Sequence, residues 1–131
     1  MLWLLLACGD KDDTGAVSPC VQEDRAVAEV LDTTFEGTIF SATVTAMDPP
    51  FPAVDDNTWT LQIDDAAGQR TSCTLSAEID MPDHGHGGPA PEFSGDEMTV
   101  RFTMGGYWEV DLAVDCEGET DEILLNVCVE G

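Results

Sequence analysis

From Trp108 to Cys116 the chain reads Trp-Glu-Val-Asp-Leu-Ala-Val-Asp-Cys, with an apolar or cysteine side chain at every second position. A period of two suits only a β-strand, whose successive side chains point to opposite faces. The same beat recurs in Phe40, Ala42, Val44, Ala46; in Trp59, Leu61, Ile63; and in Cys73, Leu75, Ala77, Ile79. It returns in Met98, Val100, Phe102, Met104 and in Ile123, Leu125, Val127, Val129. Between these runs lie strong breakers: Pro49, Pro50 and Pro52, the Asp64–Gln69 turn, Gly105-Gly106, and an acidic turn around Gly118. No segment carries a long helical pattern, and Arg25 to Leu31 reads equally as one helical turn or an edge strand. The expectation is an all-β, immunoglobulin-like antiparallel sandwich of about 6–8 short strands. At 131 residues and 43% hydrophobic, the chain has material for one modest core.

Charge narrows the function. Four Lys plus Arg against 27 Asp plus Glu gives 4 − 27 = −23. Such a surface does not grip phosphates or anionic lipid, so nucleic acid is excluded as a partner. It does concentrate cations. Asp115, Glu117, Glu119, Asp121 and Glu122 lack the spacing and closing Glu of a calcium loop, and read as a solvated turn. No apolar run approaches the ~20 residues that span a bilayer.

Leu2 to Ala7, followed by Cys8, resembles the end of a bacterial lipoprotein signal peptide, in which the cysteine is lipidated. The resemblance implies an exported protein held to a membrane by lipid on Cys8, with the true start upstream. Residues 1–8 are then a signal remnant, 9–19 an acidic linker and 20–131 a single domain. Four cysteines remain, Cys20, Cys73, Cys116 and Cys128, and an even count in an exported domain points to disulfides with three possible pairings. Parity chooses among them. Cys73 and Cys116 share the apolar faces of their strands, whereas Cys128 is out of phase with Ile123 to Val129. Cys73–Cys116 and Cys20–Cys128 follow, the first joining what are expected to be non-adjacent strands.

Both histidines lie in one Gly-rich stretch, Asp83-His84-Gly85-His86-Gly87-Gly88, with His84 three residues after Met81. In extended chain, residues i and i+2 point the same way, about 6.6–7 Å apart, so two imidazoles can address one ion. Thioether with imidazole favours copper over hard cations. Zinc needs three or four Cys, His or carboxylate donors, which only Asp80 or Asp83 could complete here. Set against this, a His-Gly-His turn is often merely solvated, and Met98, Met104 and Trp108 have core parity.

Met81-Pro82-Asp83-His84-Gly85-His86-Gly87, followed by Phe102-Thr103-Met104-Gly105-Gly106-Tyr107-Trp108-Glu109-Val110, resembles the YtkA-like domain pattern over about residues 57 to 114. That pattern runs from a Met-Pro-x-Met-x-His loop to Met-x-Gly-x-Trp. The resemblance implies a small exported β-sandwich with a copper-type site, in which Met81, His86 and Met104 match. His84 stands where the family often has methionine, which makes Cu(II) as reasonable as Cu(I). The chain carries no hydrolase signature, and two histidines are too few for a superoxide dismutase site, so no enzyme is expected. The sequence therefore points to a copper-binding carrier, buffer or assembly factor of the bacterial envelope, periplasm-facing or at the cell surface. Its metal ligands would be Met81, His84, His86 and Met104, and a protein acceptor of the metal is its implied partner. The alternative is a metal-free interaction or scaffold domain of the envelope.

Overall fold

The computed structural model describes residues 19–131. Cys8, the signal remnant and nearly all of the linker lie outside the described residues. Nine strands follow one another: β1 (Thr34–Glu36), β2 (Ser41–Asp48), β3 (Asp55–Asp64), β4 (Thr74–Met81), β5 (His86–Gly87), β6 (Glu92–Ser94), β7 (Glu97–Phe102), β8 (Gly106–Cys116) and β9 (Glu119–Val129). They form two antiparallel sheets, five strands in the order β1-β2-β3-β7-β6 and four in the order β5-β4-β8-β9. The architecture is the expected all-β sandwich. Its strand count exceeds the expectation because β1, β5 and β6 have only two or three residues each, too short to leave a periodic signal.

The alternating apolar positions meet between the sheets. Trp59, Val100 and Phe102 from one face Trp108, Val110, Leu112 and Leu125 from the other, all fully buried. Phe102 joins the two aromatic clusters, with ring centroids 6.0 Å from Trp59 and 5.4 Å from Trp108. Two residues depart from the expected parity. The β2–β3 register slips between Val44 and Ala46, and this bulge turns Ala46 outward to solvent. Met104, expected in the core, lies past the end of β7 and is 38% exposed, whereas Met98 is fully buried.

The disulfides are Cys73–Cys116 and Cys20–Cys128, the pairing that parity gives. Their placement differs from expectation in one respect. Cys73 immediately precedes β4 and Cys116 ends β8, and these strands are neighbours, with Thr74 opposite Asp115. The bridge thus staples adjacent strands of one sheet rather than distant ones. Cys20–Cys128 ties the first described residues to the outer face of β9.

Residues 19 to 33 form neither the helical turn nor the edge strand considered above. They run as an irregular strap, first along β9, where the Val27 amide donates to the Asn126 carbonyl at 3.2 Å and the Asn126 side chain donates to the Arg25 carbonyl, and then onto β2, where the Asp32 amide donates to the Val44 carbonyl at 2.7 Å. The exposed edge of an 11-residue strand is thereby partly covered, which blunts edge-to-edge pairing. At the opposite end of the sandwich, Asp121 accepts from the amides of Ile39 at 2.7 Å and Phe40 at 3.0 Å, fixing the β1–β2 turn to β9.

Candidate metal centre

β4 stops at Met81 because Pro82 follows, and the chain reverses at once. The amides of His84 and Gly85 both donate to the Met81 carbonyl at 3.0 Å, and Gly85 sits at φ +67°, a conformation that glycine adopts without strain. The return segment is β5, in the stretch that composition alone marks as loop. Its register sets Met81 directly opposite His86. Directly opposed residues of an antiparallel pair share a face, with Cβ atoms about 4.5–5.5 Å apart. Met81 and His86 therefore share one face of the β4–β5 pair, Met81 buried and His86 exposed at the sheet edge. Continuing the β4–β8 register one step past Asp80–Glu109 places Trp108 on the same row.

Contacts around Trp108 and Gly106 link the expected ligands, His84 through His86 and Met104 through its backbone alone. Met81 is 1% exposed and forms the floor. Gly106, at φ +128°, lets the Met81 methyl carbon come within 3.0 Å of where a Cβ would stand. His86 lies exposed above, its ring centroid 6.1 Å from Trp108 in an edge-on arrangement and 5.9 Å from His84. Met104 is joined to the same corner through its backbone, since the Trp108 indole Nε1–H donates to its carbonyl at 2.9 Å. Its thioether side chain is half-exposed beside this contact.

The His86 ring is already oriented. Its Nδ1 lies 3.0 Å from the Gly87 carbonyl oxygen. A carbonyl can only accept, so in the neutral tautomer that makes this bond Nδ1 donates and Nε2 keeps the lone pair, an arrangement suited to a metal ligand. Among the described residues, no group of three or more His, Cys, Asp or Glu side chains is placed to hold a metal.

The carboxylates that might have completed a zinc set are directed elsewhere. Asp80 alternates with Met81 along β4 and so belongs to the outer face. Asp83 is held by Arg25, whose NH1 donates to Oδ1 at 3.0 Å and NH2 to Oδ2 at 2.6 Å. These bonds keep the Asp83 carboxyl below the usual carboxylate range. Arg25 also stacks over the Tyr107 ring at 4.1 Å. Burial, together with the hydrogen bond to Glu109, pushes the Tyr107 phenol up to about 12. Arg25 carried no periodic or motif signal. Surface hollows of about 580 and 590 Å³ lie away from the histidines, one beside Arg70 and Cys73, the other between the strap and Phe51.

Comparison of the chain with family models, with curated proteins and with solved structures yields no match.

Proposed function

We propose that the rim built on Met81, His84, His86 and Met104 binds a copper ion, and that the domain serves as a metal carrier, buffer or assembly factor of the bacterial envelope, tethered through lipid on Cys8. The observation that carries this reading is the Met81–His86 pair. A buried thioether and an imidazole with a free Nε2 share one strand face. That donor set is soft, and soft donors select copper over magnesium or calcium. The likeness of the Met81–Gly87 and Phe102–Val110 segments to the YtkA-like pattern adds to it. The two disulfides fit an oxidising, extracytoplasmic setting. A net charge of −23 raises the local concentration of any cation. No catalytic step is proposed, and a protein acceptor would receive the metal.

The exposure of His84, His86 and Met104 favours a second reading, a metal-free interaction domain whose rim contacts a protein. Binding isotherms with Cu(I) and Cu(II) on the oxidised protein separate the two. The metal reading expects saturable binding near one equivalent that is lost in His84→Ala plus His86→Ala. Binding that is absent, or unchanged in that double variant, leaves the second reading.

A further inference from the structure

Asp83 is adjacent to His84 in the chain. A zinc ion at this rim would need it, since His84 and His86 supply only two of the three or four nitrogen, thiolate or carboxylate donors zinc takes, and all four described cysteines are in disulfides. Both Asp83 oxygens are occupied by the same guanidinium. Arg25, 45% exposed, is itself held on two further sides. Its Nε donates to Glu23 Oε2 at 2.8 Å, its NH2 to Glu23 Oε1 at 2.7 Å, and its planar face lies on Tyr107. Its own carbonyl accepts from Asn126, and its strap is anchored five residues upstream by Cys20–Cys128. An isolated surface ion pair contributes little, but a forked arginine in a network that fixes its backbone and its plane is the case in which geometry holds.

We propose that Arg25 is a specificity-determining residue: by engaging both oxygens of Asp83 it withholds the carboxylate that adjoins His84 in the chain, so that the rim presents thioether and imidazole to a soft ion and rejects zinc. The inference rests on the copper reading above. It needs no contact between Arg25 and the metal. The arrangement discriminates by removing a ligand from the competitor rather than by adding one for copper. Arg25 is one of only four Lys and Arg residues in the chain, and among the described residues no other ion pair touches the 82–87 turn.

The test is a set of Zn(II) and Cu(I) binding isotherms on the oxidised protein, wild type against Arg25→Gln, Asp83→Asn and the double variant. Arg25→Gln should bind Zn(II) more tightly by about tenfold or more, the scale on which groups surrounding metal ligands act. The double variant should lose that gain, and Asp83→Asn alone should leave Cu(I) affinity within about twofold. A merely structural role for Arg25 would weaken binding of both metals and give no gain. Zn(II) affinity in Arg25→Gln equal to or below wild type, or a gain that persists in the double variant, overturns the proposal. Should Arg25→Gln fail to fold, Arg25→Lys keeps the charge but cannot fork across both oxygens, and an intermediate gain is expected of it. Absence of Cu(I) binding by the wild type is a separate result, which removes the copper reading itself, while the Zn(II) comparison still reads whether Arg25 masks Asp83.

Discussion

Replacing Cys20 and Cys128 by alanine opens a loop spanning 108 residues, nearly the whole described domain. In the chain-entropy treatment, closing a loop of this length removes about 16 cal/mol/K from the unfolded chain, or about 4.8 kcal/mol at 25 °C. The 43-residue loop of Cys73–Cys116 gives about 4.0 kcal/mol by the same arithmetic. Domains of this size hold only ~5–15 kcal/mol in total, so either loss consumes a large share. The structure also says where the loss should appear. Without the bridge, the strap keeps the Val27–Asn126 and Arg25–Asn126 hydrogen bonds and the Arg25 network, all near the surface. Guanidinium unfolding of Cys20→Ala plus Cys128→Ala should therefore lose about 3–5 kcal/mol. Amide exchange should quicken in residues 21–31 before it quickens in β8 and β9. A loss under about 1 kcal/mol, with strap amides still protected, would falsify the idea that this clasp holds the chain ends together.

Two further variants have expected outcomes. Gly106→Ala places a side chain at φ +128° and within 3.0 Å of the Met81 methyl carbon, so it should cost about 1–3 kcal/mol in denaturant melts and also weaken Cu(I) binding; an unchanged variant removes Gly106 from the site. Asp121→Ala should cost about 1–3 kcal/mol at pH 7 through lost charged hydrogen bonds. Burial alone would raise the Asp121 pKa, but backbone donors from Ile39, Phe40, Glu122 and Thr38 outweigh it and hold the group below the ordinary range. Its contribution is thus present above the unfolded carboxyl pKa and lost as pH falls through the lower folded value. The gap between wild type and variant should close below about pH 4; a gap constant from pH 7 to pH 2 would contradict this.

What the sequence made legible was whatever repeats locally. The Trp108–Cys116 and Ile123–Val129 runs state their inward faces outright, and the same parity pairs the cysteines correctly. It misplaced Ala46 because one extra residue at a bulge inverts every later face, and nothing in Ser41 to Asp48 announces it. It misplaced Met104 because alternation does not say where a strand stops, and β7 ends at Phe102. β5 escaped notice because two residues cannot show a period. Its position opposite Met81 follows from the turn at Gly85. Arg25 was invisible for another reason: its partners Asp83 and Asn126 lie 58 and 101 positions away, joined only by tertiary contacts.

The central claim is that a buried thioether and an imidazole act together at one rim. The direct measurement is the carbon–proton NMR spectrum of the oxidised protein carrying ¹³C-labelled methionine methyls, recorded as Cu(I) is added. The Met81 methyl should shift with one equivalent of metal, and Met104 should shift with it. Met98, buried on the other sheet, should remain where it was. A Met81 resonance that stays fixed while copper binds would contradict the account.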